Sequence, residues 1–327
     1  MNVLGIETSC DETSVSVVEN GRKVLSNKVS SSLAFHKKYG GVVPEIASRM
    51  QLETITEVAE AAVKESGVTL KGIGMVSVTS GPGLLGSLLT GISFAKSVSL
   101  SLGVPLLGVN HVYSHIYANF LNRQAIMFPF VALVVSGGHT SLFCVKDFDK
   151  METLGEARDD ACGEAFDKVA KILGLGYPGG PIIEKLAKEG DSNKIKFRCS
   201  GTEGELDFSF SGIKTAVLYL TKGRQLSLAD KKDIAASFQK AVVDALIRKS
   251  LLACKIKKVN KIVVGGGVAA NNKLRETLRE AAKDAGRECY FPSKELCMDN
   301  AAMVAGLGYQ LFKKGFRSGL GLTAQLD

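Results

Sequence analysis

Short apolar runs separated by turn residues mark the predicted strands of this chain. A first unit has three such runs, at residues 3–7, 13–18 and 23–29. A second unit, about half a chain later, has two runs, at residues 130–136 and 140–145. Their first turns, at 7–11 and 136–140, carry polar or glycine residues in both units. Apart from a chance similarity of two common hairpins, this repetition predicts an internally duplicated protein with two lobes and a cleft.

Segments with the apolar spacing of helices lie between and after these units. Helices are predicted over residues 45–64, 83–102, 112–122, 163–173, 181–188, 212–221, 229–254, 271–285 and 300–314. Further strands are predicted over residues 72–80, 104–109 and 261–264. Strands that alternate with helices indicate an α/β architecture in which helices cover most of the sheet.

Three glycine-rich turns follow predicted strands and are candidate anion sites, at residues 80–83, 136–140 and 265–267. The first and third open toward helices, whose N-terminal N–H groups and dipole favour a phosphate. The second is a hairpin turn whose backbone amides could also hold phosphate. Glycines have an alternative role, because they permit close packing of a helix on a strand. Three such turns favour a nucleotide cleft, although segment 265–271 matches neither the dinucleotide motif nor the P-loop.

Two of the four histidines, His111 and His115, are one helical turn apart. That spacing places both imidazoles on one helix face, where they could share a metal ion or be ordinary surface residues. Asp299 precedes the helix predicted at 300–314 and is the candidate third ligand or else the N-cap of that helix. Val112 stands where zinc peptidases of the HExxH type have a catalytic glutamate, which disfavours that class.

Composition indicates a globular protein, since 45% of the residues are hydrophobic and 23% are charged. Lys and Arg number 41 against 33 Asp and Glu, an excess that suits a polyanionic partner. Candidate phosphate contacts are the basic groups at residues 22–23, 37–38, 255–258 and 313–314. The seven cysteines form no C-x-x-C pair, which indicates reduced thiols in the cytoplasm. The most apolar stretch, 83–109, contains Lys96 and Pro105, so we expect no membrane span there.

Eight segments match the motifs of one family: GIETSCDET at 5–13, HKKYGGVVPEIASR at 36–49, TSGPGLLGSL at 79–88, NHVYSH at 110–115, VSGGHT at 135–140, FSFSGIKT at 208–215, GGVAAN at 266–271 and DNAAM at 299–303. By these motifs the chain resembles the bacterial tRNA N6-adenosine threonylcarbamoyltransferases, once described as O-sialoglycoprotein endopeptidases. The motifs run through nearly the whole chain, which makes the resemblance specific.

The resemblance implies the fold of actin, sugar kinases and the Hsp70 ATPase, in which two duplicated α/β lobes enclose a nucleotide cleft. We expect an N-terminal lobe at 1–110 and a C-terminal lobe with inserted helices at 111–327, with the region near 300–327 packing back on the first lobe. The implied reaction transfers the threonylcarbamoyl group of threonylcarbamoyl-adenylate to N6 of the adenosine next to the anticodon of tRNA. The implied partners are tRNA, a smaller paralogous subunit and a P-loop ATPase subunit, and ATP or ADP is expected to fit the same cleft.

The resemblance also implies the site residues. One divalent ion, iron or zinc, is expected at the positions matching His111, His115 and Asp299. The adenylate is expected at Val134, Val135, Ser136, Gly137, Gly138, Asp167, Gly180, Glu184 and Asn271. Within that set, Asp167 and Glu184 are expected to bind the ribose, and Asn271 with the 265–267 turn to line the adenine. Asp11 is our hypothesis for the group that orients or deprotonates the adenosine N6.

The chain departs from many relatives at three places. Glu184 stands where they have aspartate, and its extra methylene still allows a bond to a ribose hydroxyl. Gln51 stands where they have histidine, so any role of that histidine does not carry over. The residues between the two histidines, 112–114, also differ while the ligands themselves are kept. Three other function classes stay open: a small-molecule kinase of the same fold, the metallopeptidase of the older description, and a non-catalytic scaffold.

Overall fold

The computed structural model describes residues 1–122, 126–199 and 201–326. The chain divides into two compact units. Unit 1 comprises Met1–Ile126 and Pro292–Asp327, and unit 2 comprises Met127–Phe291. This division differs from the boundary expected after residue 110, because the helix that follows it and the last helix of the chain pack on each other and on the N-terminal strands.

Unit 1 is built on a five-stranded sheet with the order β3-β2-β1-β4-β5. Its strands are β1 (Asn2–Glu7), β2 (Glu12–Glu19), β3 (Lys23–Ser31), β4 (Ile73–Gly81) and β5 (Leu106–Asn110). Its helices are α1 (Leu33–His36), α2 (Pro44–Ser66), α3 (Leu85–Leu102), α4 (His111–Tyr117) and α10 (Ala301–Lys313). β2 runs antiparallel to β1 and β3, whereas β1, β4 and β5 are parallel. The carboxyl ends of these three parallel strands therefore meet at one edge of the sheet.

Helices cover both faces of this sheet. Leu4 of β1 belongs to a buried cluster that includes Ile55 of α2 and Leu88 of α3. On the other face α10 packs against β1, β2 and β4. Gly5 of β1 permits this approach, because a Cβ there would collide with the carbonyl oxygen of Ala301. The apolar run at 3–7 is thus a central strand that is buried on both sides.

Unit 2 repeats the topology of unit 1, with a five-stranded sheet in the order β10-β9-β6-β7-β8. Its strands are β6 (Phe130–Val135), β7 (Thr140–Asp147), β8 (Lys150–Glu156), β9 (Lys261–Gly265) and β10 (Glu288–Tyr290). Its helices are α5 (Cys162–Ile172), α6 (Gly179–Ala187), α7 (Ser211–Thr221), α8 (Leu228–Lys257) and α9 (Asn272–Asp284). β7 runs antiparallel to β6 and β8, whereas β6, β9 and β10 are parallel. The repeated order is the internal duplication predicted from the two hairpins.

Helix α3 is the most apolar helix of unit 1. Among the described residues it alone is long and apolar enough to cross a membrane, with a mean hydropathy of 1.3 over 18 residues. A third of that stretch is buried inside the protein, including Leu88 and Ile92 in the core of unit 1. Core helices of soluble proteins have the same length and composition, so this helix is weak evidence for a membrane span.

The predicted helices and strands are present, with ends that shift by a few residues. Three short elements were not predicted from the pattern, namely α1, β8 and β10. In β8 only Gly155 is buried, so its sequence lacks the apolar alternation that marks a strand. The helix predicted at 112–122 is α4 followed by a 3-10 turn at Ala118–Phe120.

Candidate metal and nucleotide sites

The three predicted metal ligands meet at the carboxyl edge of the unit 1 sheet. Strand β5 ends at Asn110, whose Oδ1 accepts the N–H of Tyr113 and thereby caps α4. His111 and His115 follow on one face of that helix, with ring centroids 4.7 Å apart. Asp299 Oδ1 lies 3.2 Å from His115 Nε2 and 3.7 Å from His111 Nε2. The N-cap of α10 is the neighbouring residue Asn300, so the alternative role of Asp299 as the cap was wrong.

His115 gives an independent reason to expect a cation here. Its side chain is fully buried, and neither ring nitrogen has a hydrogen-bond partner among the described residues. A buried polar atom without a partner costs free energy, and native proteins rarely leave one so. An ion beside Asp299 would give Nε2 a ligand bond. Two imidazoles and a carboxylate are also a common donor set for zinc and for iron.

Glu7 orients His111 from behind. One carboxylate oxygen, Oε2, lies 3.1 Å from His111 Nδ1 and accepts the hydroxyl of Thr79 at 2.5 Å. The other, Oε1, accepts the backbone N–H of Ser9 at 2.6 Å. Burial lowers the pKa of His111, but the charges of Glu7 and Asp299 outweigh it and raise that pKa to about 9. A carboxylate that holds Nδ1 leaves Nε2 for a metal, which is the usual outer-shell arrangement of histidine ligands.

Negative charge is concentrated around these side chains. Burial raises the pKa of Glu12 well above its ordinary value, and the charges of Asp299, Asp11 and Glu7 raise it further. Burial also raises the pKa of Asp11, while a hydrogen bond from Glu12 opposes that change. Asp11 is therefore the more acidic member of the pair, and Glu12 is the one that keeps a proton. Such a concentration of carboxylates suits a divalent cation.

Gln51, one of the positions that departs from many relatives, holds the loop between β1 and β2. Its side chain is buried in α2, and its Nε2 lies 3.3, 2.9 and 3.1 Å from the carbonyl oxygens of Thr8, Cys10 and Glu12. The hydroxyl of Ser32 also donates to this loop, at the carbonyl oxygen of Asp11 (2.7 Å). Gln51 therefore positions the residues that face Asp299 without facing it itself.

In unit 2 the predicted phosphate turn joins β6 to β7. The backbone of Ser136 closes the turn by donating its N–H to the carbonyl oxygen of His139 (2.8 Å). Gly137 and Gly138 are exposed, and their N–H groups have no partner within the described part of unit 2. The side chains of Val134 and Val135 are fully buried in β6, so they support the turn and present no side chain to a ligand.

The other predicted adenylate residues surround two helix N-termini of unit 2. Asp167 Oδ1 accepts the N–H of Gly179 at the start of α6 (2.6 Å), next to Gly180, whose Cα faces open space. Glu184 Oε1 accepts two N–H groups of Asn272, from its backbone (2.9 Å) and its side chain (2.7 Å). Asn271 instead caps α9 through Leu274 and donates to Gln239.

A cavity of about 470 Å³ lies beside these groups. Its lining includes Glu184, Gln239 and Asn272 together with Lys188, Lys240 and Lys273. The side chain of Asn271 is buried and makes two structural hydrogen bonds, whereas Asn272 lines the cavity. The sequence alone did not identify Asn272, Gln239, Glu7 or Cys10 as site residues. Glu7 and Cys10 lie within a family motif and Asn272 follows one, but no motif lies near Gln239.

In sequence, the chain is similar to the members of one protein family. The model of the family described as tRNA N6-adenosine threonylcarbamoyltransferase matches residues 23–306. A relative of that name from Thermodesulfovibrio yellowstonii is 54% identical over 330 residues, covering 99% of this chain and 98% of the relative. A Clostridium botulinum relative of the same name is 52% identical, covering 99% and 96%.

Solved structures support the fold. The chain is similar to HypF of T. kodakarensis, with a TM-score of 0.66, 17% identity and coverage of 96% of this chain and 48% of that one. It thus spans about half the length of that HypF chain. A ROK hexokinase of Thermus thermophilus matches with a TM-score of 0.52 and 16% identity, covering 96% of this chain and all of the hexokinase. These likenesses confirm the expected actin-like and sugar-kinase fold.

Proposed function

Because this chain belongs to the tRNA N6-adenosine threonylcarbamoyltransferase family, we infer that it transfers a threonylcarbamoyl group to N6 of an adenosine in tRNA. The donor we propose is threonylcarbamoyl-adenylate, and the acceptor is the adenosine next to the anticodon. The observation that carries this proposal is identity of more than half over essentially the full length of a relative with this activity in its name. The meeting of His111, His115 and Asp299 supports it, since these positions come from two motifs that lie far apart in the sequence.

We propose that one divalent ion, zinc or iron, binds His111 Nε2, His115 Nε2 and Asp299. When bound, the ion would supply a Lewis acid for the carbamoyl oxygen or the threonyl group. Glu7 would keep the His111 ring turned with Nε2 toward Asp299 and stabilise the ligand bond. The buried, unpartnered nitrogens of His115 and the surrounding carboxylates are the support for this assignment.

In unit 2 we propose that the exposed amides of Gly137 and Gly138 hold the adenylate phosphate. The cavity lined by Glu184, Gln239 and Asn272 would take the nucleoside, with Glu184 Oε2 at a ribose hydroxyl. Asp167 would contribute indirectly. It accepts the N–H of Gly179 and so holds the N-terminus of α6, where Gly180 faces open space. ATP or ADP, which share the adenosine and its phosphate, would fit the same groups.

The proposed transfer forms one bond and breaks one. N6 of the acceptor adenosine attacks the carbamoyl carbon, the bond from that carbon to the phosphate oxygen breaks, and AMP leaves. One proton of N6 must go to a base, and we propose the Asp11 carboxylate, whose pKa is raised by burial. The Gly137 and Gly138 amides would stabilise the charge that develops on the departing phosphate.

The proposed partners follow from the family and the charge. The exposed basic residues, among them Lys37, Lys38 and Lys314, are candidate contacts to tRNA phosphates. A smaller paralogous subunit and a P-loop ATPase subunit are proposed as protein partners, and the cytoplasm as the compartment. The two protein partners are testable by co-purification from cells that express the tagged chain.

The test is mass spectrometry of tRNA nucleosides after incubation of the zinc-loaded or iron-loaded chain with tRNA and threonylcarbamoyl-adenylate, with and without the two subunits. We expect threonylcarbamoyladenosine with the wild type and at least about 100-fold less with His115→Ala, because one of three proposed ligands is lost. Lys188→Ala changes the lining of the unit 2 cavity and leaves the three proposed ion ligands in place. Comparing it with His115→Ala distinguishes an effect on the nucleotide from loss of the ion. Phosphate transfer from labelled ATP to a small molecule, with no modified nucleoside, would overturn the proposal in favour of a kinase.

A further inference from the structure

Cys10 lies beside the proposed ligands and has no role in the reaction described so far. Its Sγ, a ring nitrogen of His111 and a carboxylate oxygen of Asp299 all lie within 4.8 Å of one another. We propose that the Cys10 thiolate is a further ligand of the ion held by His111, His115 and Asp299. This inference rests on the proposed metal site and adds a fourth protein donor to it.

The backbone of Cys10 is fixed from two sides. Its carbonyl oxygen accepts the side-chain amide of Gln51 from α2 (2.9 Å) and the hydroxyl of Ser87 from α3 (3.3 Å). A residue held by two helices does not swing with its loop. The backbone that carries the sulfur is therefore fixed, and Cys10 as a residue is partly exposed.

His115 is the second observation that points to a cation. Its ring is buried, neither nitrogen makes a hydrogen bond among the described residues, and Nε2 lies 3.2 Å from Oδ1 of the carboxylate that Cys10 also faces. Two imidazoles, one carboxylate and one thiolate make the four donors that zinc binds tetrahedrally. The two negative donors balance the charge of a divalent ion, and the thiol proton is released to the buffer on binding.

A thiolate ligand has consequences for which ion binds. Sulfur is a soft donor that favours zinc or ferrous iron over magnesium or calcium. With Cys10 as a fourth protein donor, a substrate oxygen would have to expand the coordination to five or displace one of the donors. Cys10 would thus set the selectivity of the site while the two histidines and Asp299 anchor it.

X-ray absorption at the zinc edge tests this directly on the full-length chain loaded with one equivalent of zinc. We expect one sulfur scatterer at about 2.3 Å together with nitrogen and oxygen scatterers at about 2.0–2.2 Å. In Cys10→Ser the sulfur shell should be lost while the nitrogen and oxygen shell and the stoichiometry remain. In the matched variant Cys297→Ser, a buried thiol two residues from Asp299, the sulfur shell should persist.

The outcomes separate the two proposals. Stoichiometric zinc with only nitrogen and oxygen scatterers in the wild type would overturn the role of Cys10 and leave the metal site standing. A sulfur shell that disappears in Cys297→Ser and not in Cys10→Ser would overturn it as well. No stoichiometric zinc in the wild type would overturn the metal site and Cys10 with it. A wild-type spectrum without a sulfur shell overturns the role of Cys10 even if Cys10→Ser folds poorly, and with a sulfur shell the Cys297→Ser spectrum tests the alternative donor.

Discussion

Replacing Glu7 with glutamine keeps the shape of the side chain but removes the charge that faces His111. In the wild type, the pKa of His111 is raised from 6.5 to about 9 against the effect of burial, and Glu7 is the largest of the groups that raise it. That difference corresponds to about 3 kcal/mol of preference for the charged imidazole. At pH 7.5 the metal-free protein therefore has His111 mostly protonated.

This proton must leave before Nε2 can bind an ion. Zinc binding to the wild type at pH 7.5 should thus release nearly one proton from His111, in addition to any released by Cys10. In Glu7→Gln the charge that holds the proton is gone and burial lowers the pKa, so proton release should fall by about one. At a pH well above 9, where protons no longer compete for His111, the variant should bind zinc about 10–100-fold more weakly because its histidine is less well oriented.

Isothermal titration calorimetry of the metal-free protein with zinc, in buffers of different protonation enthalpy, counts these protons. The matched control is Glu19→Gln, since Glu19 is exposed and only pairs with Lys23 at 3.5 Å. That control should release as many protons as the wild type. Equal proton release from the wild type and Glu7→Gln would refute the argument that Glu7 charges His111 and that His111 binds the ion.

Four further predictions address other parts of the structure. The raised pKa of His111 should stabilise the metal-free protein below about pH 6.5, and this stabilisation should be lost as pH rises through 9; urea unfolding of the wild type against Glu7→Gln checks it. Gln51→Ala should lower the unfolding free energy by about 1–3 kcal/mol, because it removes a buried donor that lies near three carbonyl oxygens, and should slow transfer in the nucleoside assay; an unchanged rate would contradict a positioning role of Gln51. Gly266→Ala should cost at least about 1–3 kcal/mol, because Gly266 has φ +91° and a methyl there would collide with a carbonyl oxygen of β6, whereas Gly201→Ala, in open space, should be nearly neutral in the same denaturation assay. Binding of tRNA should weaken at least about tenfold between about 50 and 200 mM salt in filter-binding measurements; flat binding would exclude the basic surface.

The duplicated fold was predictable from the sequence because each unit begins with the same pattern of apolar runs and turns. The boundary between the units was not, because it depends on tertiary packing. α4 belongs to unit 1 through its contacts with α10 and β5, which no local pattern encodes, whereas the expected packing of the region near 300–327 on the first lobe agrees with unit 1, which includes Pro292–Asp327. β8 escaped prediction for a different reason, since an edge strand with exposed side chains needs no apolar alternation.

The candidate site was predictable in part. The spacing of His111 and His115 on a helix indicated a shared face, but only the family resemblance pointed to Asp299, which is far away in the sequence. Glu7 and Cys10 come close to His111 because β1 and β5 both pair with β4, which brings their carboxyl ends to one edge of the sheet. This pairing is tertiary structure that the local sequence does not show. The place of Asn271 at the adenine stays a prediction, since its side chain caps α9 in the structure while the neighbouring Asn272 lines the cavity.

The central claim is that His111, His115 and Asp299 together hold one divalent ion. Crystals of the full chain grown with zinc, measured on both sides of the zinc absorption edge, test it most directly. We expect a single strong anomalous peak within about 2.0–2.2 Å of both Nε2 atoms and an Asp299 oxygen. A peak elsewhere, or a refined structure with Asp299 turned away from both rings, would contradict it.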